Sequence, residues 1–335
     1  MVTVKTRGLL FLMKKNIIIL LMLSSLVFGR KIVVKLATLA PEGTDWHGML
    51  VEMGQEWKKI TKGKVEVRIY PGGVVGDERD MVRKMRIGQI HAAGMTTEGL
   101  SEIVPDFKAF YVPMAFQNLE DVEQVLEELL PSLESQLNNK GFKLIYLGDL
   151  GFAYWFSSSP VLSPSDLKNK KLFTWAGDFQ WAELYKKAGY NPVPLASTDM
   201  LSGLQTGLID AISTMPMYAL AQQSFGIANH MLDLKWGVLL AGIIVDNKTW
   251  NRIPKKYHEK LLDSAERIQL KHLETNRKAD QQAVDAMKQF GLTIHKPSPE
   301  HFKEWENEVM RMEEHLKGVI IPEQIYDRVI EITKD

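Results

Sequence analysis

Residues 165–213 read SDLKNKKLFTWAGDFQWAELYKKAGYNPVPLASTDMLSGLQTGLIDAIS, and their punctuation decides the fold. Ser165-Asp166-Leu167-Lys168 is a turn, after which residues 171–175 form a short apolar strand. Residues 180–188 have helical spacing. Pro192-Val193-Pro194-Leu195 follows, then a helix that opens at Ser197-Thr198-Asp199 and ends at Gly207. Residues 208–213 are strand-like again. Short strands alternating with helices imply a mostly parallel sheet covered by helices.

The same alternation runs outward towards the N-terminus. Residues 31–38 (KIVVKLAT) are β-branched and read as a strand. Thr44 and Asp45 are good N-cap residues for a helix whose apolar positions are Trp46, Leu50, Met53 and Trp57. Residues 64–70 alternate as a second strand, broken by Pro71-Gly72-Gly73. A helix over 77–87 and a short strand over 91–96 close this first series. A second series starts near Lys143, with residues 142–148 and 152–157 as two strands. Towards the C-terminus, residues 254–290 form one long helical stretch whose middle, 274–282, is almost wholly polar. A helix apolar at both ends and polar between suits one that packs on two lobes in turn; the alternative is two helices with a break. The fold class is therefore α/β, with two lobes.

Composition narrows the function. The 335 residues hold 41 Lys+Arg and 41 Asp+Glu, so the chain carries no electrostatic footprint for nucleic acid. With no cysteine, disulfides, thiolate catalysis, zinc–thiolate sites and an acylated N-terminal cysteine are all excluded. Met13-Lys14-Lys15-Asn16 precedes twelve mostly apolar residues, 17–28, and then Gly29-Arg30. A basic start and a short apolar stretch describe a secretory signal peptide over residues 1–29, with Met13 as the initiator. The stretch is too short to span a bilayer, which takes about 20 apolar residues. The mature chain then has 37 cations against 41 acids, a net charge of −4, and is expected to be a soluble, non-lipidated periplasmic protein.

No Gly-x-Ser-x-Gly, His-Glu-x-x-His, Walker lysine or Gly-x-Gly-x-x-Gly motif occurs. Gly72-Gly73-Val74-Val75-Gly76 lies between a strand and a helix but lacks a following Lys-Ser/Thr, so it reads as a tight turn. His258 and His272 are too far apart for one metal site. No carboxylate stands in an apolar context that raises its pKa. Neither a catalytic constellation nor a cofactor or metal site is expected.

Three segments together resemble the solute-binding component of TRAP (tripartite ATP-independent periplasmic) transporters. They are Val67-Arg68-Ile69-Tyr70-Pro71-Gly72-Gly73-Val74-Val75-Gly76-Asp77, then Ser165-Asp166-Leu167-Lys168-Asn169-Lys170-Lys171-Leu172, then Asn191-Pro192-Val193-Pro194-Leu195 with Leu204-Gln205-Thr206-Gly207-Leu208-Ile209-Asp210-Ala211. The last is the most specific. The resemblance spans residues 31–335. It implies a two-lobed periplasmic-binding-protein fold, type II-like, with hinge strands and one long helix across both lobes. Lobe I would comprise residues 30–151 and 241–280, and lobe II residues 152–240 and 281–335. The ligand would sit in the cleft, and hinge closure would present the closed form to the TRAP membrane subunits. A TPR-repeat periplasmic protein accompanies some members.

The departures from the family pattern are informative. The resemblance places a carboxylate-clamping arginine at the end of the strand after Asp166-Leu167-Lys168. Phe173 stands there, followed by Thr174-Trp175. A second arginine often follows the Gly-Phe of that lobe's first strand; Ala153 occupies its place, then Tyr154-Trp155. After Asp210-Ala211 the family pattern has Gln/Ala-Glu-Asn, where this chain has Ile212-Ser213-Thr214 with Met215-Pro216 next, and Leu39 stands where the first lobe often offers an amide. Only one of Tyr154 and Trp155 can face the cleft. Thr96 and Thr97, at a strand end, are candidates for polar contacts, and Trp175 and Trp236 for ligand contact. The expected ligand is therefore hydrophobic or weakly polar: a fatty acid, other lipid, isoprenoid or aromatic molecule. Three alternatives stay open: an organic acid held by a basic residue from the first lobe, a lipid carrier without a transporter, and a secreted enzyme on the same scaffold.

Overall fold

The structure, a computed structural model, describes residues 31–334. The expected signal peptide, 1–29, lies outside them. Ten strands are ordered along the chain as β1 (Ile32–Thr38), β2 (Val65–Tyr70), β3 (Ala92–Thr96), β4 (Phe142–Ser157), β5 (Lys171–Trp175), β6 (Asn191–Leu195), β7 (Ala211–Thr214), β8 (His230–Leu232), β9 (Gly237–Asp246) and β10 (Thr293–His295). They form the spatial order β2-β1-β3-β9-β4-β7-β5-β6, with β8 pairing both β4 and β10.

The first series, β2-β1-β3, is parallel, and so is the second, β7-β5-β6. Between them run two long antiparallel strands, β4 and β9, paired from Phe142↔Asp246 to Ala153↔Gly237. One end of β9 pairs with β3 in the first lobe, and the far end of β4 pairs with β7 in the second. Residues 142–148 and 152–157 are thus one strand of 16 residues, not two. Its register slips between Leu144 and Tyr146 and again between Asp149 and Gly151, and such bulges bend a strand without ending it.

Local signals account for the helix boundaries. Thr44 Oγ1 accepts the His47 N–H at 3.3 Å and opens helix Asp45–Ile60. The long helix is unbroken from His258 to Gln289, 32 residues or about 48 Å. Lys271 and His272 pair with Glu52 of the first lobe, while Asp280 accepts the Met217 N–H of the second. The last helix, Glu323–Lys334, packs on Leu119–Asn139 and pairs Arg328 with Glu128. It therefore packs on elements between residues 105 and 139. No helix among the described residues is long and apolar enough to cross a membrane.

The lobes are in contact. Ser197 donates from N–H (2.9 Å) and Oγ (2.8 Å) to Asp77, itself the N-cap of helix Glu78–Arg86. Lys108 pairs with Asp178 at 2.9 Å, both side chains buried. Gly73 is the tight turn the sequence implies. Its φ is +73°, and a Cβ there would meet Thr198 of the other lobe at 2.8 Å. Gly177, at φ +106°, brings its backbone beside the Arg79 side chain, which a Cβ there would have to displace.

Candidate functional site: the inter-lobe cleft

β1, β3, β5 and β7 end at Thr38, Thr96, Trp175 and Thr214, and these residues line the cleft between the lobes. The crevice beyond the carboxyl ends of parallel strands is where α/β sheets bind ligands. The cleft has two adjoining chambers that share Trp175, Ser213 and Leu239. The first is mostly apolar, walled by Leu39, Trp46, Met95, Leu150, Met200, Met215 and Met217. The second is aromatic and more polar, with Tyr111, Trp155, Phe173, Thr174, Trp181, Tyr185 and Trp236.

Most of the residues expected from sequence converge here. Leu39, Thr96, Thr214 and Met215 line the first chamber, Ala153, Trp155, Phe173 and Trp236 the second, and Trp175 and Ser213 both. Two do not. Thr97 is fully buried, and its Oγ1 accepts the Leu240 N–H at 2.8 Å, so it fastens the start of a short helix to β9. Tyr154 lines neither chamber: strand alternation turns Trp155 into the cleft and Tyr154 onto the packed flank of the sheet. Thr96 is at the wall, but its hydroxyl donates to Glu78 at 2.8 Å and is committed.

Phe173 is 5% exposed and meets Trp175 at 5.6 Å in an edge-on contact. Trp236 gives its indole N–H to Tyr185 Oη at 3.2 Å and packs against Trp155 and Trp305. Neither chamber has a lysine or arginine in its wall. Lys108 is engaged by Asp178, which lines the second chamber.

Carboxyls, which the sequence gives no reason to single out, matter more than expected. Burial pushes Glu78, in the first chamber, up to about 7, against three donated hydrogen bonds from Thr96 N–H, Thr96 Oγ1 and Gly99 N–H. Burial, reinforced by Asp178, drives Glu98 of the second chamber well above the usual carboxylate range. Burial likewise raises Asp280 to about 6. Glu78 sits in the sequence Asp77-Glu78-Arg79-Asp80, which reads as an exposed first helical turn. Only the packing of that turn onto β3 hides it. The sequence also misses Tyr111 and Lys108, carried on the 3-10 segment Pro105–Tyr111, which has no periodic signature.

Two lobes crossed by shared strands and closed over a ligand-sized cleft define a two-lobed solute-binding protein. The chain belongs to the family described as bacterial extracellular solute-binding protein, family 7, which matches residues 36–316. Its relatives include a solute-binding protein of Roseobacter denitrificans, 28% identical over 189 residues; the match covers 56% of this chain and 58% of that protein's length. The C4-dicarboxylate-binding periplasmic protein DctP of Rhodobacter capsulatus is 23% identical over 85% of this chain and 86% of its own. In fold, a TRAP periplasmic solute-binding protein of Sulfurospirillum deleyianum with bound succinate is similar at a TM-score of 0.82, with 20% identity, covering 91% of this chain and 100% of that one.

Proposed function

We propose that this chain is the periplasmic receptor of a TRAP-type importer for an uncharged, largely apolar solute, delivered from the cleft to the membrane subunits. The observation that carries the reading is the lack of any lysine or arginine in the walls of both chambers, with Phe173 buried where the family resemblance expects the clamping arginine. A carboxylate enclosed without a cation loses its hydration and gains little in return, at several kcal/mol. Each buried methylene contributes about 0.8 kcal/mol in the other direction. The basic start and short apolar stretch of residues 14–28 support export, and with no cysteine to acylate the reading is of a periplasmic receptor without a lipid anchor. Lobe boundaries near 151 and 241, where β4 and β9 cross, fit a hinge there.

A second reading is an organic acid held through Lys108, favoured by the bound succinate and the dicarboxylate named for the relatives above. Against it stand the Asp178 partner of Lys108 and the nearby Glu98 carboxyl. Titration calorimetry with succinate and with neutral apolar compounds, together with mass spectrometry of small molecules released from purified protein, separates the two. Micromolar succinate binding would sink the apolar reading; a retained neutral molecule and no heat with succinate support it. Genes for the two membrane subunits beside this one distinguish a transport receptor from a stand-alone lipid carrier.

A further inference from the structure

Three buried polar atoms of the second chamber have no hydrogen-bond partner: Tyr111 Oη, Trp155 Nε1 and Thr174 Oγ1. Folded proteins rarely leave such atoms unpaired, and three in the wall of one chamber call for a common partner. Their neighbours are not in the same state. Trp236 Nε1 is satisfied by Tyr185, and in the first chamber Thr96 is satisfied by Glu78. An indole N–H can only donate, and both hydroxyls can donate, so what they lack in common is an acceptor.

The charge of that acceptor is constrained as well. Asp178 and Glu98 line the same chamber, and Lys108 is already held by Asp178, so an anion would meet carboxyl groups with no free cation to offset them. An ammonium group would face a donor-only indole. Resting on the reading of the cleft as a receptor for an uncharged solute, we infer that the second chamber takes a neutral carbonyl at one end of that solute. Ketone, ester, amide and lactone oxygens all qualify. The hydrocarbon remainder lies past Trp175 in the first chamber, among Leu39, Met95 and Met200. The solute is thus oriented along the cleft, polar end towards Thr174.

The test is titration calorimetry of the full-length mature protein with a matched set: acetophenone, ethylbenzene, benzoate and benzylamine, plus ketones with alkyl chains of one to about six carbons to reach the first chamber. The ketones are expected to bind about 10-fold tighter than the hydrocarbon, as two or three hydrogen bonds allow, and tighter than both charged members. Thr174→Val and Tyr111→Phe each delete a hydroxyl with little change of volume. Each should weaken ketone binding about 5-fold to 20-fold and leave ethylbenzene within about 2-fold, at unchanged Tm. Wild-type discrimination across the set is read independently of how either variant folds. Equal binding of ketone and hydrocarbon, or no ketone binding at millimolar concentration, overturns the inference and leaves the apolar receptor standing. Tightest binding of benzoate or of benzylamine overturns both.

Discussion

In the first chamber the buried carboxyl is answered, Glu78 taking hydrogen bonds from Thr96 and Gly99, and the rest of the wall is mostly thioether, alkyl and ring carbon, with the hydroxyl residues Thr38, Thr44, Ser213, Thr214 and Tyr218 among it. In the second, an ion pair and an indole–phenol contact are satisfied while three further polar atoms are not. β5, β7 and β9 contribute to both through Trp175, Ser213 and Leu239, and part of the contrast comes from what the first lobe sends to each. Helix Glu78–Arg86 brings a self-contained carboxyl to one, and the segment Pro105–Tyr111 brings Tyr111 to the other, with Lys108 held behind its wall by Asp178.

The largest expected effect comes from breaking the ion pair of the second chamber. Lys108→Met leaves Asp178 buried without its cation, and stability is expected to fall by about 3–5 kcal/mol in urea unfolding. Adding Asp178→Asn should recover most of that loss. Unchanged stability in the single variant would mean that water reaches the pair.

The next is a pH effect located in the first chamber. The folded protein keeps the Glu78 proton up to about pH 7, whereas an unfolded chain loses it near 4.5. The folded state binds more protons in that window, so stability falls as pH rises through it, by up to about 3 kcal/mol. Glu98 and Asp280 act in the same direction. Unfolding midpoints should drop between pH 5 and pH 8, and Glu78→Gln should flatten that slope. An identical slope in the variant assigns the effect elsewhere.

Third, Phe173→Arg places a cation in the second chamber. Affinity for a neutral apolar solute should drop about 100-fold, and affinity for a small carboxylate should become measurable. The smallest effect is Leu39→Ala in the first chamber. It should weaken apolar solutes by about 5-fold through lost contact, without altering the preference for neutral over anionic ligands. If it changes that preference, the two chambers do not divide the work as described.

Strand–helix alternation from Lys31 to Ser213 was legible because each unit carries its own turn chemistry: Pro71-Gly72-Gly73, Ser165-Asp166-Leu167-Lys168, Gly207 ending a helix. Leu39, Ala153 and Phe173, where the resemblance expects amide or charged residues, all line the cleft. The continuity of β4 was not legible, since Gly148-Asp149-Leu150-Gly151, which holds the register shift between Asp149 and Gly151, reads as a strand break in sequence. Nor was the state of Glu78 or the role of Tyr111. Both depend on which distant surface covers them, and no local pattern encodes that. Thr97, chosen with Thr96 as a strand-end pair, belongs to a short helix whose buried side it fills.

β9 sits between β3 and β4 in the first lobe, yet it follows β3 by about 140 residues of chain. A polypeptide emerging N-terminus first therefore holds β1, β2 and β3 with an unpaired edge until Gly237–Asp246 arrives. Such distant pairing makes folding slow, and an open apolar edge is a point at which other chains can add. Where a chain has to cross a membrane as a thread, late closure of this kind keeps it threadable. The strand that joins the two series is also the one whose late arrival delays the first from locking shut.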